Sequence, residues 1–148
     1  MINPRHFRLL VRVACIATGL LFLAAAWHKV RDPLAFAENI FNYQVLPDVL
    51  VNPTAIFLPW LEIVAALAIM AAPRLRRASA WLLLGLLIFF TGLVGVTMAR
   101  GIDVACGCFT SDPDASPVGW GKIFENTLWM LLAGFALWGL HREDAARS

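Results

Sequence analysis

Apolar positions along this chain fall into four long runs separated by short polar stretches. Leu9–His28 is interrupted only by Arg12 near its start, and Pro53–Ala72 holds the single ionisable residue Glu62. Ala78–Ala99, bracketed by Arg77 and Arg100, holds none, and Ile123–Leu140 carries only Glu125 near its beginning. Each run reaches or approaches the roughly 18–20 residues that a helix needs to cross a hydrocarbon core of about 30 Å. Open strands are excluded in lipid because their edges would leave backbone groups unpaired. The pattern predicts an all-α, polytopic membrane four-helix bundle, a single domain without internal repeats, with spans at about 9–28, 53–72, 78–99 and 123–140. The first run, with Arg5, Arg8 and Arg12 ahead of it and Ala24-Ala25-Ala26 behind, also has the layout of a cleavable signal peptide, but it is long for one.

Between the first two runs, Asp32-Pro33 is a helix-start signal: a side-chain acceptor for free amides, then a proline at the first helical position. From there, Leu34, Phe36, Ala37, Ile40 and Phe41 share one helical face, with Glu38, Asn39 and Asn42 opposite. This is a short amphipathic helix, expected to lie on the membrane surface or to cap the bundle. Trp27, Tyr43, Trp60 and Trp120 fall near the same boundary, where aromatic rings with one polar atom are favoured as anchors. The loop from Pro73 to about Arg77 is short enough to make the second and third spans an antiparallel hairpin.

Composition agrees: 60% of the 148 residues are hydrophobic and 15% are charged, far from the roughly 25% charged of ordinary globular chains. A net charge of +2 gives no basis for nucleic-acid binding. Position matters more than total. Eight Lys and Arg lie in the amino terminus, the second loop and the tail, against four in the first and third loops. The positive-inside rule then puts both termini in the cytoplasm and loops one and three on the periplasmic or exterior side; the expected location is a bacterial inner membrane.

The chemistry concentrates in the third loop, at Cys106-Gly107-Cys108. Paired cysteines in an oxidising compartment form disulfides. Gly107 makes the bend between them cheap, and the small ring that results is expected to be strained and so readily exchanged. A structural staple would close almost no loop and gain little. Zinc would lack further ligands, whereas Cu(I) held by Cys106, Cys108 and Met98 stays open on softness alone. Cys15, about 9 Å deep in the opposite half of the first span, is out of reach and reads as a packing residue.

A second candidate group is a proton or ligand site around Glu62. A carboxylate near mid-membrane must face the bundle interior and be paired or protonated; a structural hydrogen bond between helices is the plainer reading. Its candidate partners are Glu125 and Asn126 on the fourth span and His28 or Lys29 on the first, although the last two could equally be snorkelling ends. Arg100, near the cysteines, could favour a thiolate, as could Lys122.

Lys29 with Asp32-Pro33, Phe36, Asn42-Tyr43 and Leu46-Pro47, then Pro59-Trp60-Leu61-Glu62, Arg100-Gly101, Cys106-Gly107-Cys108-Phe109 and Trp120 through Lys122 to Asn126, resembles the DoxX/MauE-like family of small membrane proteins over about residues 15–140. The Cys-Gly-Cys-Phe element points to the methylamine-utilisation MauE branch, with Thr110 standing where a glycine is expected. The resemblance implies a four-helix membrane bundle serving redox work outside the cytoplasm. Its role there would be the maturation of a disulfide-rich periplasmic dehydrogenase subunit alongside a thioredoxin-like partner; DoxX-like relatives are linked to quinol oxidases. Thiol-disulfide exchange by Cys106 and Cys108 is the expected chemistry, with a quinone near Trp60 and Glu62 as a candidate electron sink. Known quinone-linked disulfide generators use two cysteine pairs, and this chain has one. The alternative is a non-catalytic subunit or scaffold of a redox complex, with the Cys-Gly-Cys element structural or metal-binding. A transporter is disfavoured by the lack of repeats or paired broken helices.

Overall fold

A computed structural model describes residues 4–101 and 120–145, all in helices and short turns, without strands. Five helices follow in order: α1 (Pro4–Arg31), α2 (Pro33–Asn42), α3 (Asp48–Ala71), α4 (Arg76–Ala99) and α5 (Trp120–Ala145). All but α2 are long and apolar enough to cross a membrane. Each begins ahead of its expected apolar span, and α1 and α5 also continue beyond its end. α3 starts at Asp48 rather than at Pro53 and takes Pro53 and Pro59 into its interior; neighbouring helices make such prolines tolerable in membrane spans.

α2 begins as its sequence predicts. Asp32 caps it by accepting from the Ala35 amide at 3.0 Å, and Pro33 occupies the first turn. Its seating departs from the simple amphipathic expectation. Phe36 and Ala37 are buried against Val51 and Ala55 of α3, but Leu34 and Phe41 remain exposed. A helix this short can bury only the part of its apolar face that meets α3. Tyr43, expected as a boundary anchor, is instead buried, while Trp27 and Trp60 are exposed as anchors would be. The side chain of Trp120 lies outside the described residues.

The four long helices form a ring in which α1 packs on α3 and α5, and α4 packs on the same two neighbours. Small residues let the backbones approach, as is common between membrane helices. A Cβ on Gly19 would come within 2.5 Å of Met70 and 3.0 Å of the Ala66 carbonyl, and one on Gly139 would overlap Val11. The α3–α4 turn is held by Arg76, whose guanidinium donates to the carbonyls of Ile69 (3.2 Å) and Met70 (3.1 Å), acceptors left open by the end of α3. Thr18, Thr91, Thr97 and Thr127 each return their hydroxyl to a carbonyl one turn back, which makes them cheap to keep in a span. Cys15 sits inside the core between Ala14 and Thr18, 3% exposed, as a small packing residue does.

Candidate functional site

The buried stripe of α1 runs Val11, Ala14, Cys15, Thr18, Phe22, Ala25 and Ala26, and the next position in that register is Lys29. The buried stripe of α3 runs Val51, Ala55, Pro59, then Glu62, then Ala65, Ala66 and Ile69. A spacing of three and four residues keeps each series on one helical face. Helical register therefore turns one ammonium and one carboxylate inward, towards each other.

They meet. Lys29 Nζ donates to Glu62 Oε1 at 2.7 Å and to Oε2 at 2.9 Å, with both side chains almost wholly buried, at 3% and 1% exposure. These are short, charge-assisted contacts of the strong kind. The ammonium also lies 5.1 Å from the ring centre of Phe36 and 4.9 Å from that of Phe90. Both distances are within cation–π reach, an interaction worth about 0.5–2 kcal/mol and most when desolvated. α2 is thus fixed over the pair by Phe36, and α4 is fixed beside it by Phe90.

On the far side of the pair is a cavity of about 30 Å³, whose wall includes Lys29, Glu62, Phe90 and Asn126. Asn126 is buried and its Nδ2 donates to Thr91 Oγ1 at 3.3 Å, linking α5 to α4. A second and larger space, about 60 Å³, opens between α2, α3 and α4; Phe36, Phe90, Asn39, Tyr43 and Leu93 are among its walls. Phe90 separates the two spaces.

Of the partners expected for Glu62, the structure brings Lys29 into contact and Asn126 into the shared cavity. His28, Glu125 and Arg100 are exposed and do not line that cavity. Lys29 is not a snorkelling end, because it turns inward. Trp60 is 57% exposed, two residues from Glu62 and thus on another face of α3, so the two do not share a site. Cys106 and Cys108 lie outside the described residues, as does the side chain of Lys122. The sequence reading did not include Phe36, Phe90 or Thr91 in the site. Aromatic and hydroxyl residues in a span look like packing, and the only available signal was the helical register of Lys29.

Fold and site together define a multi-pass membrane protein, four apolar helices around an internal ion pair. The family model described as methylamine utilisation protein MauE matches residues 8–139. Methylamine utilization protein MauE of Methylophilus methylotrophus is 33% identical over 126 residues, 84% of this chain and 64% of that one. The proteins of that name in Paracoccus denitrificans and Methylorubrum extorquens are 32% identical over 119 residues and 34% identical over 129. These alignments take in 80% and 86% of this chain, and 63% and 68% of the relatives. The chain belongs to the MauE family. It spans just under two thirds of the length of the first two relatives. No solved structure matches it.

Proposed function

We propose that this protein is a membrane-bound thiol–disulfide redox component of methylamine utilisation, acting in the maturation of a periplasmic protein. The observation that carries the reading is Cys106-Gly107-Cys108 in a chain that matches the MauE family from residue 8 to residue 139. Two placements support it. The ends of α4 and α5 that flank residues 102–119 lie at the same end of the bundle as α2, and the Lys and Arg distribution assigns that end to the outside of a bacterial inner membrane. Both termini are then cytoplasmic.

In this reading Cys106 and Cys108 cycle between dithiol and disulfide against a soluble thioredoxin-like protein or a periplasmic dehydrogenase subunit. One thiolate attacks a disulfide sulfur, a mixed disulfide forms, and the second thiol resolves it. Two electrons and two protons move between the partners in each cycle.

The test is Cys106→Ser, with Cys108→Ser alongside, scored for growth on methylamine, for membrane abundance, and for the disulfide state of the periplasmic subunit. Loss of growth with normal abundance and unpaired thiols in that subunit is the expected result. Loss of the protein or of its complex, with chemistry elsewhere unaffected, would assign the motif to a scaffold instead.

A further inference from the structure

Asn126 is a carboxamide buried inside an apolar bundle, and its Nδ2 gives one N–H to Thr91. It shares a cavity of about 30 Å³ with Lys29 and Glu62, and Ala25, Leu87 and Phe90 are among the other walls. Residues of α1, α3, α4 and α5 thus surround one small space between the spans. A bilayer core supplies no bulk water to satisfy what such a wall leaves open.

The walls restrict the occupant in three ways. Charge comes first: the ammonium and the carboxylate cancel, so a cation would meet Lys29 and an anion would meet Glu62 with no net attraction. The occupant is neutral. Size is second. A cavity needs roughly 10–15 Å³ to hold one water, so about 30 Å³ admits one or two molecules of that size and nothing as large as a ring. Hydrogen bonding is third. An ammonium has three N–H groups, of which Lys29 gives two to Glu62; a carboxamide has two, of which Asn126 gives one to Thr91. A donor is left on each, while the Asn126 carbonyl and the further lone pairs of the carboxylate can accept. The occupant therefore both accepts and donates.

From these walls we propose that the cavity is a water site, in which one water bridges Asn126 to the Lys29–Glu62 pair. The water accepts from Lys29 and donates to Glu62 and to the Asn126 carbonyl, about the three hydrogen bonds that a buried water makes. α5 is thereby joined to the ion pair. One polar network then runs through all four spans, from Lys29 and Glu62 through the water to Asn126 and Thr91. Such a network specifies helix neighbours in lipid, where burial of apolar surface does not favour one neighbour over another. Polarity of the wall, not volume, decides where water is kept. The larger space beyond Phe90 has an almost wholly apolar lining, and apolar cavities do not retain water.

The experiment is magnetic relaxation dispersion of the water oxygen nucleus, measured on the full chain in detergent micelles. It counts long-lived buried waters and is blind to exchangeable side-chain protons. Asn126→Leu removes the polar wall on α5, and Ala25→Val narrows the cavity from α1. Each should lower the dispersion by about one water per chain. Asn126→Ser keeps a donor and an acceptor and should retain that water, as should Trp81→Phe at the far end of α4. Waters bound elsewhere contribute equally to every variant and cancel in the difference. Gel filtration and melting in the same detergent identify the variants that remain folded, and either of the first two suffices for the comparison. An amplitude unchanged in a folded Asn126→Leu or Ala25→Val overturns the site, and so does an equal loss in Trp81→Phe.

Discussion

Lys29 and Glu62 cost several kcal/mol each to strip of water, and their contact offsets that only because the geometry is bidentate and the rings of Phe36 and Phe90 solvate the remaining charge. Removing one partner leaves the other buried and unpaired. Lys29→Met and Glu62→Leu should therefore each destabilise the fold by about 3–5 kcal/mol, whereas the double variant should recover most of the loss. Thermal unfolding in detergent checks this by a double-mutant cycle; simple addition of the two losses would mean that the pair does not couple. At this scale Glu62 was legible, since a carboxylate in a span must find a partner. The choice of Lys29 over His28 was also within reach, as only Lys29 continues the stripe of Phe22, Ala25 and Ala26. Phe36 and Phe90 were not legible as site residues, because an aromatic ring beside a charge and an aromatic ring beside a lipid have the same sequence signature.

Among the elements, α2 announces its own start through Asp32-Pro33, yet its seat on α3 depends on which apolar residues find a partner, and the sequence assigns Leu34 and Phe41 to the same face as Phe36. The order of helices around the ring was hidden for a related reason. In a membrane the outward and inward faces of a span are both apolar, so periodicity does not separate them as it does in water. What marks an interface instead is the small residue. At the α1–α5 crossing Gly139 lies against Val11, a stiff side chain that cannot swing aside. Gly139→Ala should cost about 1–3 kcal/mol by overpacking, and Val11→Ala in the same chain should restore most of it. Gly85→Ala, where nothing lies within 4 Å, should be close to neutral. Melting temperatures of the purified proteins decide it, and a neutral Gly139→Ala would show that the crossing is looser than described.

For the molecule as a whole, the four spans were legible because length and apolarity alone identify a crossing helix, and the Asp48 start of α3 was not, because Pro53 looked like an entrance. The bundle places its ion pair, the α2 cap, and the ends of α4 and α5 around one pole. This is the architecture expected if Cys106 and Cys108, between α4 and α5 at that pole, exchange with soluble proteins. The claim at the centre of that account is that Cys106 and Cys108 form a reversible pair. A thiol-trapping redox titration of the purified chain tests it most directly, with Cys15→Ala to remove the buried background thiol. The account predicts a reversible two-electron transition at a potential above about −200 mV, the range of catalysts of disulfide formation. A pair that stays reduced across the titration, or a disulfide that resists reduction, would contradict it.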